Sequence, residues 1–242
     1  MLELKNFSFS YPKSDKGIFD ISFSLECGRL LAVVGNNGGG KTTLLNQLYA
    51  KFSRDAVFVP QFFNVSSMNV RDFIALGFVR QFKKFQLTHD KIQKARTEEI
   101  IKTAGLEKIA DRPMNGISGG ERQIAKIAQS LVIKPKILLL DEPTSHLDLS
   151  NCVKILSLVK EFCRKENACA LIIIHDVYSV RKFADSVLML KNGRQFGLCA
   201  AKDFSDKIVG ELFSLDFFTS QEKCADSACN EESGRDGVPP GL

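Results

Sequence analysis

Gly35-Asn36-Asn37-Gly38-Gly39-Gly40-Lys41-Thr42-Thr43 decides how this chain is read. An apolar run, Leu30-Leu31-Ala32-Val33-Val34, precedes it, and a helix-like stretch, Leu44 to Lys51, follows. Strand, glycine-rich loop and helix in that order form the context a phosphate-binding loop requires. Glycines let backbone N–H groups crowd an anion without a Cβ in the way. The helix N-terminus adds partial positive charge at the same point. At this spacing Lys41 reaches the outer phosphates and the Thr42 hydroxyl is placed to hold Mg²⁺. A merely mobile glycine turn needs neither Lys41 nor Thr42, so the stretch is read as a nucleoside triphosphate site.

Upstream, Leu2, Leu4, Phe7, Phe9 and Tyr11 alternate with polar residues, as do Ile21, Phe23 and Leu25. Alternation of this kind marks half-buried strands, and Pro12 to Gly17 reads as the turn between them. The first thirty or so residues are therefore expected to form a small antiparallel sheet. Tyr11 ends its first strand. It is either a half-exposed sheet aromatic or a platform for an adenine ring, and spacing does not separate the two.

Downstream, Ala56-Val57-Phe58-Val59 is a short apolar run ending at Pro60-Gln61. From Asn64 to Val132 the pattern turns mostly helical. Asn69 to Val79 is apolar on one face, and Thr97 to Ile109 is expected as a further helix. Arg80 to Arg96 mixes Lys and Gln with Phe82 and Phe85. That mixture can mark nucleic-acid binding, but a solvated helical face explains it with less. Ser118-Gly119-Gly120-Glu121 opens an amphipathic helix carrying Ile124, Ile127, Ala128 and Leu131 on one face. Ser118 and Glu121 have the spacing of a capping box. The same turn leaves a hydroxyl and two glycine amides at a helix N-terminus, a second anion-ready place.

Ile137-Leu138-Leu139-Leu140 is a fully apolar strand ending in Asp141-Glu142, and Ala170 to Ile174 is another, ending in His175-Asp176. Cys152 to Lys165 between them reads as a crossover helix. Such alternation builds a parallel sheet with helices on both faces. Val187 to Leu190 and the turn Lys191-Asn192-Gly193-Arg194 read as a closing hairpin. Four apolar runs thus end at Gly35, Gln61, Asp141-Glu142 and His175. Ligands of open parallel sheets sit beyond the carboxyl ends of the strands, so these residues are expected at one edge. There Asp141 suits Mg²⁺, and Glu142 is placed to take a proton from an attacking water. Gln61 could bind the metal or that water, and His175 could hydrogen-bond the γ-phosphate.

At 242 residues, 44% hydrophobic and 25% charged, the chain has the composition of a globular protein with ample core. A net charge of +5 is too weak a bias to argue for nucleic acid. Met1 to Lys5 lacks the layout of a secretion signal, and no apolar run approaches the roughly 20 residues of a spanning helix. Cys27, Cys152, Cys163, Cys169, Cys199, Cys224 and Cys229 are odd in number and scattered, which fits reduced thiols better than a disulfide or metal framework. Residues 220–242 are rich in Ser, Glu, Asp and Gly and are expected to be a disordered tail.

The pattern resembles the ATP-binding cassette (ABC) ATPases over roughly Leu2 to Phe204. The residues that carry the resemblance are the phosphate loop, Gln61 of the Q-loop, Ile117-Ser118-Gly119-Gly120-Glu121-Arg122-Gln123 as the signature, Asp141-Glu142, Ser145-His146-Leu147-Asp148 as the D-loop, and His175 as the switch. Asn36, Gly39, Ile117 and Glu121 depart mildly from the usual residues. The resemblance implies an α/β phosphate-loop NTPase domain, residues 1–219. It comprises a mostly parallel sheet, an N-terminal antiparallel β-subdomain and an inserted helical subdomain at about 64–133. It further implies a head-to-tail homodimer, with ATP and Mg²⁺ as cofactors.

In such a dimer Ser118, Gly119 and Gly120 of one subunit face the nucleotide on the phosphate loop of the other. Nucleotide contacts would come from Tyr11, from Gly35 through Thr43, and from Asp148. Thr42, Gln61 and Asp141 would serve the metal, and Lys41, Gln61, Glu142 and His175 the chemistry. Pro143 to Asp148 and Asn69 to Gly77 resemble the ATPases of iron-chelate, haem and cobalamin importers. Those work on the cytoplasmic side of the inner membrane with integral-membrane permease subunits and, indirectly, a substrate-binding protein. A zinc or manganese importer ATPase is the nearest rival, and a soluble ABC ATPase of protein assembly or DNA repair the next.

Overall fold

The computed structural model describes residues 1–12, 14, 16–61, 67–81 and 91–215. Two nine-residue strands open the chain, β1 (Leu2–Ser10) and β2 (Gly17–Leu25), and they pair antiparallel as expected. Leu2 and Leu4 are buried, but the register slips before Phe7, where Asn6 takes a left-handed φ of 46°. Next come β3 (Leu30–Gly35), α1 (Lys41–Lys51), β4 (Ala56–Val59) and α2 (Val70–Ala75). They are followed by α3 (Lys91–Thr103), α4 (Gly119–Leu131), β5 (Ile137–Leu140), α5 (Leu149–Glu166) and β6 (Cys169–Ile173). The last elements are α6 (Val177–Phe183), β7 (Ser186–Lys191), β8 (Arg194–Ala200) and α7 (Asp206–Phe213).

Among the described residues the strands form one sheet in the order β1-β2-β8-β7-β3-β6-β5-β4. Neighbours from β7 to β4 run parallel, and the β1–β2 and β7–β8 pairs run antiparallel. The fold is thus a mixed sheet with helices on both faces. Side chains alternate across a strand, and β3 shows the consequence. Leu30, Ala32 and Val34 enter a core shared with α4, α5 and α6, while Leu31 and Val33 enter one shared with α1 and the β1–β2 hairpin. All six residues of β3 are buried, as are all of β5 and β6. Strands covered on both faces read as continuous apolar runs.

The helical region differs in detail from its sequence reading. The helix expected over Thr97 to Ile109 begins instead at Lys91 and ends at Thr103. Gly105 adopts a left-handed φ of 69°, and Leu106 N–H donates back to Ile101 O at 2.9 Å. A glycine turn of this kind ends a helix, and only one 3₁₀ turn, Glu107–Ile109, follows. Arg96 is no solvated charge either. Its guanidinium bonds Glu99 at 2.8 Å and Glu166 at 3.2 Å, joining α3 to the end of α5. Phe82, Phe85 and the expected tail lie outside the described residues.

Candidate nucleotide site

The loop after β3 is shaped by Gly35 and Gly40, both at positive φ and both without room for a Cβ. A Cβ on Gly35 would fall 2.0 Å from Leu190 O, because β7 lies directly beside β3. Gly40, at φ 97°, caps α1 without a side-chain hydrogen bond. The first N–H groups of α1 therefore keep no intrahelical partner, and they belong to the residues that line a cavity of about 450 Å³. Asn37 through Thr43 line it, and Tyr11, Lys16, Gly17, Phe19, Glu142, Asn192 and Gly193 complete it. Lys41 is 6% exposed and donates to Gly35 O at 2.9 Å and Asn36 O at 3.0 Å. Burial lowers the pKa of this ammonium, and the Glu142 and Asp141 carboxylates oppose that shift.

Parallel pairing of β3, β6, β5 and β4 brings their carboxyl ends together, as the sequence anticipates. Glu142 is the meeting point. Gln61 Nε2 donates to its Oε2 at 3.0 Å, and His175 Nε2 lies 2.8 Å from its Oε1. The His175 contact is a hydrogen bond donated to the carboxylate in the tautomer that carries a proton on Nε2. Glu142 itself has a left-handed φ of 47°. Next to it, Thr42 Oγ1 donates to Asp141 Oδ1 at 3.3 Å. Asp141 is 7% exposed, and burial raises its carboxyl pKa above the ordinary value. A threonine hydroxyl, a carboxylate and the amide oxygen of Gln61 are hard oxygen donors. They fit Mg²⁺, which takes one or two protein oxygens beside substrate phosphates.

Tyr11 lines the cavity, and its hydroxyl lies 3.2 Å from Thr43 Oγ1 in the first turn of α1. Phe9 meets the Tyr11 ring edge to face at 5.0 Å. The remaining sequence candidates stay apart from the cavity lining. Ser118 caps α4 in the expected capping box, and Ser118 and Gly119 are exposed. Gly120 is buried because Asn151 of α5 occupies the space a Cβ would take, at 2.3 Å. Asp148 caps α5, accepting from Asn151 N–H at 2.8 Å.

Lys16, Phe19, Asn192 and Gly193 were not among the sequence candidates. Gly193 N–H donates to Gly39 O at 3.2 Å and its carbonyl accepts from Phe19 N–H at 2.8 Å, so the β7–β8 turn clamps the phosphate loop. The Asn-Gly pair announces a turn. That the turn lands here follows from β7 lying beside β3, which no local signal carries.

Residues 18–145 match the family model described as ABC transporter. The phosphonates import ATP-binding protein PhnC of Treponema denticola is 29% identical, over 91% of this chain and 96% of its own. A chain solved within an inward-facing transporter assigned to the metal-chelate type is 28% identical, with a TM-score of 0.78 over 88% of both chains. An ATP-binding cassette solved as a dimer in a post-hydrolysis state with ADP and Pi is 25% identical. Its TM-score is 0.69, over 84% of this chain and all of the other. The chain belongs to the ABC transporter family and is an ATP-hydrolysing cassette of it.

Proposed function

We propose that the chain powers import of a metal chelate, working as a homodimer on the cytoplasmic face of a permease. The convergence of Gln61 and His175 on Glu142, beside the phosphate loop, supports the chemical part of this reading. The likeness to the metal-chelate type transporter supports the cargo class. Bound nucleotide would lie on the N–H groups of α1 with its base against Tyr11, and Lys41 would exchange its loop carbonyls for the outer phosphates. Mg²⁺ held by Thr42, Asp141 and Gln61 would neutralise phosphate charge. Glu142 accepts the proton of the attacking water, and Gln61 and His175 fix its carboxylate for that task.

The exposed Ser118-Gly119 turn is one half of a second contact. Placed against the nucleotide of a twin subunit, its hydroxyl and amides would bind the γ-phosphate. Between β4 and the helical region lies a groove of about 440 Å³ lined by Pro60, Phe73, Leu76, Gly77, Lys126 and Gln129, among others. Leu76 is 40% exposed there, and a permease helix would dock against this surface.

The phosphonate relative supports a second cargo class. Purified with its permease and binding protein in vesicles, the complex is expected to hydrolyse ATP faster with a ferric chelate than with a phosphonate. Stimulation by the phosphonate alone would replace the metal-chelate reading with the second one.

A further inference from the structure

Helix α4 begins at the signature, and two turns further on, about 12 Å along its axis at 1.5 Å per residue, it carries Lys126. This lysine is 5% exposed and its Nζ donates to Pro60 O, the carbonyl just before Gln61. Gln61 in turn holds Glu142. One turn beyond Lys126, Gln129 Nε2 donates to Phe73 O of α2 at 2.7 Å. Helix α4 therefore grips both the Gln61 loop and its neighbouring helix through polar side chains. One turn to either side on the same face, Lys126 has Arg122, Gln123, Gln129 and Ser130, while Ala125, Ile127 and Ala128 on the adjoining face are fully buried.

We propose that Lys126 is a positioning residue, which transmits the orientation of the signature helix through Pro60 and Gln61 to the carboxylate of Glu142. The inference rests on the roles given above to Gln61 and Glu142. In it, a phosphate contact made by Ser118 in one site changes the alignment of Glu142 in the other site of the same pair. In this coupling α4 would move as a rigid rod, and the hydrogen bond to the Pro60 carbonyl would carry its displacement to the Gln61 loop. Burial pushes the ammonium down to about 8 while the Asp141 carboxylate opposes the shift.

The test is steady-state hydrolysis by the full chain carrying Lys126→Met, Lys126→Arg, Gln61→Ala, Glu142→Gln, or Lys126→Met with Gln61→Ala. Lys126→Met is expected to lower kcat about tenfold with KM for ATP changed less than about twofold, the mark of a contact that acts only in the transition state. Lys126→Arg, which keeps a donor, is expected to recover kcat to within about threefold of the parent. Adding Lys126→Met to Gln61→Ala is expected to cost less than about twofold more than Gln61→Ala alone, because Lys126 acts through Gln61. Ile127→Val, in the apolar core face of the same helix, serves as the control for lost packing and is expected to lower the melting temperature but not kcat. Should Lys126→Met not fold, Lys126→Leu, which also lacks a donor, is read in its place. The inference is overturned if Lys126→Met keeps the parental kcat, raises KM alone, or adds its full effect to that of Gln61→Ala. If Glu142→Gln still turns over at the parental rate, the role given to Glu142 fails and takes the inference with it. If Glu142→Gln is inert while Lys126→Met runs normally, only the tie through Lys126 is wrong.

Discussion

The phosphate loop and the signature both end at helix N-termini, yet the single chain leaves them in opposite states. Around the loop, charges are held under tension. Burial shifts Lys41 down and Asp141 up, and Glu142 sits at a positive φ that costs a non-glycine residue about 1–3 kcal/mol. At the signature every group is at ease. Glu121 Oε2 accepts from Ser118 N–H and from its hydroxyl, both at 2.8 Å, and these bonds lower the Glu121 pKa. The loop half already has its cavity, while the signature half has a donor turn facing outward. The contrast teaches that strain collects where charge must be met by a ligand, and that the donor turn proposed above to meet a twin subunit rests in a capped form in the single chain.

The sharpest way to break the comparison is Glu142→Gln. If the strained half does the chemistry, removing the proton acceptor should lower kcat about 10²–10⁴-fold while ATP still binds. Size-exclusion chromatography with ATP should then show an accumulated dimer. A monomer that turns over normally would mean the tension around Glu142 serves something else.

A smaller effect separates the halves from each other. Lys41→Ala damages only the loop half and Ser118→Arg only the signature half, so either variant alone should be inert. Mixed in equal amounts, they should recover about a quarter of the parental rate. Random pairing makes half the dimers mixed, and each mixed dimer holds one intact site of two. No recovery, with both variants folded and Ser118→Arg still binding ATP, would put both halves of each site in one chain. Ser118→Arg also removes a helix cap worth about 1 kcal/mol, so its melting temperature must be measured beside its activity.

How much of this was legible beforehand also divides along the same line. The loop half was readable because its residues are contiguous and each apolar run ends in the polar group that matters. Gln61, Asp141, Glu142 and His175 could be gathered from strand ends alone, since one parallel sheet aligns them. The capping box at Ser118 was equally local. What escaped were features set by packing order. The Asn192-Gly193 clamp depends on β7 lying beside β3, and Lys126 is buried on the polar face of an amphipathic helix, where periodicity expects a solvated charge. The helix expected at Thr97 was displaced because Gly105 ends it early and because Arg96 is paired where a solvated face was expected. Asp148 was read as a nucleotide contact, and in the single chain its carboxylate is used to cap α5.

The smallest effect tests whether the tension is real. Asp141→Asn keeps an oxygen to accept from Thr42 but removes the buried charge. Because burial raises the Asp141 pKa, the ionised carboxylate disfavours folding at neutral pH. The variant should therefore melt higher than the parent in the absence of nucleotide, on the scale of about 2–4 °C per kcal/mol for a chain of this size. The sign follows from proton binding. Above the folded pKa both states are ionised, so the parent bears the full desolvation cost and the gain is complete. As pH falls through the folded pKa the parent takes up a proton and the gain shrinks. It vanishes below the ordinary carboxylate value, where folded and unfolded chains are both protonated. The same variant should lose Mg²⁺-dependent turnover, so stability would rise as activity falls. A melting temperature that drops at neutral pH would show that Lys41 and Thr42 already compensate the charge, and the loop half would then be as relaxed as the signature.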